Sequence, residues 1–114
     1  DEKTEQYYLH LFDETQADLN WENEKLREEV YDMMRFWLDK GVTGFRLDVI
    51  NLISKDQCFL NDEGSTATSD GRKYYTDGPR VHEYLQEMNR NVFAGKDVIT
   101  VGEMSSTTID NCIK

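Results

Sequence analysis

Two acids and a cation carry the chemistry this sequence offers. Arg46 and Asp48 stand two positions apart in Gly44-Phe45-Arg46-Leu47-Asp48-Val49-Ile50-Asn51, a segment that alternates like a strand. Side chains at i and i+2 of a strand share a face, so Arg46 and Asp48 point together while Phe45, Leu47 and Val49 point the other way. A charge pair buried at a strand end is costly unless something uses it, and the plain alternative is a structural ion pair. Glu103 closes a second short apolar run, Val98-Ile99-Thr100-Val101-Gly102-Glu103-Met104. Parallel neighbours lie about 4.8 Å apart, which would set Asp48 and Glu103 at equivalent strand tips. That spacing is compatible with a nucleophile and an acid/base held about 5 to 5.5 Å apart, the arrangement of retaining glycoside hydrolysis.

The elements around these residues are the ones such a pair needs. Leu26, Val30, Met33, Met34, Trp37 and Leu38 recur at helical spacing and predict an apolar stripe, with Arg27 among the residues off it. Asn20 or Asn23 supplies the N-cap, Lys40 suits the negative end of the dipole, and Gly41 ends the helix. A strand follows from residue 44 to about 50. The stretch from Ser54 to Asp77 is polar, with a run of Ser and Thr, and is long for a structureless connection. Asp77-Gly78-Pro79 then opens a second helix, whose stripe is Val81, Tyr84, Leu85, Met88, Val92 and Phe93, and Gly95 stops it before the strand that leads to Glu103. Helix, strand, helix, strand is an α/β pattern with parallel strands, about two βα units of a (β/α)8 TIM barrel. A doubly wound open sheet has the same local pattern. Ahead of these elements, Tyr7-Tyr8-Leu9-His10-Leu11-Phe12 reads as a short buried strand or extended segment.

Composition narrows the class. The 23 acidic and 13 basic residues of this 114-residue chain give a net charge of −10, which argues against nucleic acid or an anionic membrane as partner. With 38% hydrophobic residues it has material for one modest core. No run approaches the length of a membrane span, and Asp1-Glu2-Lys3-Thr4-Glu5 is unlike a signal peptide. Cys58 and Cys112 form no CxxC motif and suit two free thiols in a reducing cytosol, so the expected location is cytoplasmic. No metal or other cofactor is expected.

Here the motifs become specific. Residues 44–51 resemble the strand-four signature of glycoside hydrolase family 13, the α-amylase family, and Val101-Gly102-Glu103-Met104 resembles its strand-five signature. Gln16-Ala17-Asp18-Leu19-Asn20-Trp21 is similar to a short signature of the oligo-1,6-glucosidase branch. Ala17 in place of the usual Pro, with Ser105-Ser106-Thr107-Thr108 after Glu103, is similar to the members of that branch that hydrolyse trehalose 6-phosphate. The resemblance covers essentially the whole chain. It implies that Asp48 is the nucleophile, Glu103 the acid/base, and Arg46 the group that keeps the nucleophile ionised and oriented. It marks Val49 as a subsite residue at a position tied to linkage preference; Asn51, just beyond, is a further candidate for facing the substrate. The substrate implied is a small sugar phosphate, with isomalto-oligosaccharides as the alternative. A catalytically silent barrel module of the transporter-associated kind is a third.

The family also uses an Asp-His motif on strand three and a later His-Asp pair, and neither is present. The chain is therefore expected to be a single segment of a catalytic barrel, with residues 1–21 the end of an inserted loop region and 22–114 the helix-strand-helix-strand part. By itself it should be inactive and prone to self-association. The other candidates are weaker. His82 and His10 suit structural hydrogen bonds or solvent better than catalysis. Tyr7, Tyr8 and Trp21 suit core packing better than sugar stacking. Asn61, Asp62, Glu63 and Asp70 lack the spacing of a calcium loop and suit solvent exposure. Arg72, Lys73 and Arg80 are the cations near the long loop.

Overall fold

The computed structural model describes residues 1–64 and 70–113. The elements are α1 (Glu24–Asp39), β1 (Gly44–Leu47), a 3-10 turn (Ile50–Leu52), α2 (Arg72–Tyr75), α3 (Val81–Met88), β2 (Ile99–Gly102) and α4 (Ile109–Cys112). A π-helical turn, Asn89–Phe93, prolongs α3. Strands β1 and β2 pair in parallel, with Gly44 opposite Ile99 and Leu47 opposite Gly102. This is an α/β unit of a (β/α)8 barrel, two parallel strands with their helices and not a closed barrel.

Helix α1 starts where the Asn23 side chain accepts the Lys25 backbone N–H, and it stops at Gly41, whose φ of 95° is costly for a residue with a Cβ. Its buried face differs from the predicted stripe. Arg27, Tyr31 and Met34 are buried, whereas Met33 and Trp37 are about half exposed. The reason is chemical pairing: Arg27 donates to both Glu87 oxygens (3.2 and 3.0 Å) and to the Trp21 carbonyl (2.8 Å), and it lies over the Tyr84 ring. A long cationic side chain thereby joins the buried seam between α1 and α3. The second stripe is as predicted, with Val81, Tyr84, Met88 and Val92 buried. Tyr31, Met34, Ile50, Met88 and Val92 form the core, against which Phe45 and Leu47 of β1 pack.

The helices cover the Phe45 and Leu47 side of the sheet. Arg46, with Ile99 and Val101 in register on the same face, lies on the open side, where Ile99 and Val101 are exposed. Strand β1 ends at Leu47, before the predicted residue 50, because the chain turns sharply at Asp48 and Val49.

Residues 1–23 contain no helix or strand. The predicted strand over Tyr7–Phe12 does not form, and Tyr7, Tyr8, Leu9 and Phe12 are exposed. Among the described residues no neighbouring strand offers a ladder; the Asp18 N–H donates to the Leu9 carbonyl (2.9 Å). Tyr7 and Tyr8 are thus not core residues here, while Trp21 packs on Tyr84, ring centroids 5.9 Å apart. The Ser and Thr run of the long connection falls at residues 65–69, outside the described residues. Asp62, expected in solvent, is instead a loop staple: it accepts the Gly71 and Gly64 backbone N–H groups (2.9 and 3.2 Å) and pairs with Lys73 (3.4 Å).

Candidate active site

The last rungs of the two-stranded ladder run on past the strands into the charged residues. The Glu103 N–H donates to the Leu47 carbonyl (2.9 Å), and the Ile50 N–H donates back to the Glu103 carbonyl (3.0 Å). The turn at Asp48 and Val49 is therefore closed around the Glu103 backbone. With Leu47 opposite Gly102, Asp48 and Glu103 are the next residues in register, at the C-terminal tips of their strands.

Arg46 joins the two acids. One guanidinium nitrogen donates to Asp48 Oδ1 and the other to Glu103 Oε2. Sequence reasoning linked Arg46 to Asp48 alone; its second partner depends on strand register, which no single segment reveals. The three side chains are 59%, 67% and 48% exposed in the order Arg46, Asp48, Glu103, so the charge pair expected to be buried is open. Open charges keep most of their hydration and need no other partner.

The Asp48 carboxyl is held below its ordinary value, first by a hydrogen bond with the Glu103 carboxyl and then by the Arg46 guanidinium. Arg46 is correspondingly shifted upward by the two acids. The arrangement sets two carboxyl groups, joined through one guanidinium, at adjoining strand tips. Two such groups on one face can attack a carbon and protonate the oxygen leaving it.

Val49 follows with φ 37° and ψ 44°, the left-handed region, where a β-branched residue is strained. The kink starts the 3-10 turn and leaves Val49 at the wall of two small cavities, one of which Asp48 also lines. Val49 is thus next to the acids.

Asn51 is elsewhere. It is fully buried, its amide nitrogen donates to Asp77 Oδ1 (2.9 Å) and the Ser105 carbonyl (2.7 Å), and its amide oxygen accepts the Ser105 N–H (3.1 Å). The expectation that it faces the substrate is corrected: its side chain is spent inside the protein, because both loops beyond the strand tips converge on it. Asp77 completes the junction, accepting also from Thr107 Oγ1 (2.7 Å) and Asn111 Nδ2 (2.9 Å). Burial acts most strongly on its carboxyl and raises its pKa, but these three donors outweigh burial and hold it below the ordinary value. Gly78 permits this, since a Cβ there would run into the backbone of Ser54 and Lys55. Asp77 was legible in the sequence only as a turn residue before Gly78-Pro79.

A second tie missed in the sequence fixes Gln16–Trp21. Lys55, buried, pairs with Asp18 (2.8 Å) and donates to the Leu52 carbonyl. It docks this segment against the turn that follows β1. Among the described residues no group of three or more His, Cys, Asp or Glu is placed to hold a metal ion. No helix among them is long and apolar enough to cross a membrane.

Comparison with known proteins agrees with this geometry. The alpha-amylase catalytic-domain family model matches residues 1–114. The chain is 68% identical over 114 residues to trehalose-6-phosphate hydrolase of Bacillus subtilis (strain 168), covering 100% of this chain and 20% of that protein. It is 57% identical over 110 residues to oligo-1,6-glucosidase of Parageobacillus thermoglucosidasius, covering 95% and 20%. The crystal structure of Bacillus licheniformis trehalose-6-phosphate hydrolase superposes with a TM-score of 0.86 at 67% identity, over 93% of this chain and 18% of that one. The chain spans about a fifth of the length of these relatives.

Proposed function

We propose that this chain, which belongs to the alpha-amylase catalytic-domain family, supplies the nucleophile and the acid/base of a retaining α-glucosidase that cleaves trehalose 6-phosphate to glucose and glucose 6-phosphate. The observation that carries the reading is Arg46 bridging Asp48 and Glu103 at adjacent strand tips. Asp48 attacks the anomeric carbon while Glu103 gives its proton to the departing glycosidic oxygen, forming a covalent glycosyl-enzyme and releasing one sugar. Glu103, now a carboxylate, takes a proton from water, and the water oxygen displaces Asp48 from the anomeric carbon with net retention. Asp48 and Glu103 held by one guanidinium at adjoining strand tips support retention, which needs its two carboxyls about 5 to 5.5 Å apart, over inversion, which needs about 6.5 to 9.5 Å.

The identity to the Bacillus subtilis hydrolase supports the phosphorylated substrate. The oligo-1,6-glucosidase relative supports the second reading, hydrolysis of isomalto-oligosaccharides with the same Asp48 and Glu103. Both acids present and paired weigh against a silent transporter-associated module. A cytoplasmic location is proposed for the parent, supported by the free thiols of Cys58 and Cys112. The full-length parent, assayed on trehalose 6-phosphate and on isomaltose with the anomer of the first product followed by NMR, tests both parts. A strong preference for isomaltose overturns the substrate, and an inverted anomer overturns the mechanism. The isolated chain, incomplete as a barrel, is proposed to be inactive and to self-associate through exposed Ile99, Val101 and Ile109; a monodisperse monomer in light scattering would refute the association.

A further inference from the structure

A phosphorylated substrate needs a cation that the reacting trio does not supply, because the chain as a whole is strongly acidic and repels a dianion. Most basic side chains near the strand tips are already matched. Arg80 pairs with Glu22 and with both oxygens of Glu83 and lies over the Tyr84 ring. Lys73 is held by Asp62 and sits over Tyr74. Lys55 is buried against Asp18 and the Leu52 carbonyl. Arg46 is occupied by the two acids.

Arg72 differs in place and in partners. Its Nη1 donates to the Ser106 hydroxyl (2.8 Å), three residues beyond Glu103, its Nη2 pairs with one oxygen of Asp70 (2.9 Å), and the Tyr75 hydroxyl beside it helps hold it charged. Its side chain is 45% exposed, so a ligand can reach it. Arg72 lines a cavity of about 210 Å³ together with Val49, Tyr75, Thr76, Ser105 and Ser106. That cavity adjoins the acids through Val49, the residue after Asp48. Thr76 also lines the cavity, its hydroxyl turned into the protein interior. A cation with a planar fork of donors, flanked by hydroxyls, suits a phosphate, which offers three acceptor oxygens and outcompetes a single carboxylate contact. The Ser105 side of the cavity is held in place by the buried Asn51 amide, so the hydroxyls are presented on a fixed loop.

We infer that Arg72, set against Ser106 in the cavity beside Val49, receives the phosphate of the sugar substrate. The inference rests on the glycosidase reading above and assigns its specificity to one side chain. The test compares the full-length parent with its Arg72→Gln variant on trehalose 6-phosphate and on p-nitrophenyl α-glucoside, a neutral probe. Loss of a charge-assisted contact is expected to lower the ratio of kcat/KM values, phosphorylated over neutral, by about 10- to 100-fold, chiefly through KM. Arg72→Lys, which keeps a point charge without the fork, should recover part of that ratio, and Lys73→Gln should leave it within about twofold. A ratio unchanged in Arg72→Gln while the parent prefers the phosphorylated sugar overturns the role of Arg72 alone. An equal fall in Lys73→Gln overturns it in favour of the general field. A parent with no preference for the phosphorylated sugar overturns the substrate reading and this assignment with it.

Discussion

Two polar clusters stand at the same end of β1 and β2 and handle their hydrogen bonds in opposite ways. In the Arg46, Asp48 and Glu103 trio, one cation bridges two acids and all three side chains remain about half open. Around Asn51, the polar side chains are spent on one another: the amide uses both its ends, and the Asp77 carboxylate takes three donors from Asn51, Thr107 and Asn111. Capacity that the protein has already closed fastens loops, whereas capacity left open is available to a reactant. The contrast also explains why Asn51, only three residues from the proposed nucleophile, belongs to the scaffold.

The largest effects should separate the clusters by activity. In the parent, Glu103→Gln is expected to lower turnover by about 10² to 10⁴, the usual range for a general acid, and Asp48→Asn by at least as much because no covalent intermediate forms. Thermal melting of both variants should stay close to the parent, since the groups are exposed; steady-state kinetics beside a melting curve checks both. A large drop in melting temperature would put the trio with the scaffold and break the comparison.

Arg46→Gln should sharpen it through pH. The guanidinium helps hold the Asp48 carboxyl below its ordinary value, so the ionised nucleophile persists into acid. Removing the cation raises that value, and the acidic limb of kcat/KM should move to higher pH. A limb that stays in place would separate Arg46 from the nucleophile.

Asn51→Ala tests the other cluster. It strands Asp77 and the Ser105 backbone, and is expected to cost about 1 to 3 kcal/mol in urea unfolding, with a smaller loss of turnover than either acid variant. The reverse order would make Asn51 part of the reacting machinery. The smallest effect concerns acid stability. The folded Asp77 value lies below the ordinary carboxyl range, so its contribution is complete above about pH 4 and is lost as pH falls through the depressed value. Asp77→Asn should flatten this acid dependence of unfolding, measured from about pH 5 downward; an unchanged slope would mean that other carboxylates set it.

The strand-tip geometry was legible because period-two alternation around Arg46 and Asp48, and a β-branched run before Glu103, are local signals. The first helix was legible in extent but not in orientation. Its apolar residues mark every surface that some neighbour covers, and Met33 and Trp37 are not covered by this chain. Arg27 was hidden because its burial depends on Glu87, far along the sequence. Asn51 was hidden for the same reason, since Asp77 and Ser105 come to it only once β2 has paired with β1. The strand expected at Tyr7–Phe12 failed because aromatic content marks a surface to be covered without naming a partner for its backbone.

Among the described residues β1 pairs only with β2, so each strand keeps one flank of N–H and C=O groups without a ladder partner. A closed barrel has no such flanks. The segment is thus a natural place to split the parent: pieces expressed on either side of it should find these flanks as docking templates, and recovery of hydrolysis on mixing would report that the barrel can be reassembled from parts.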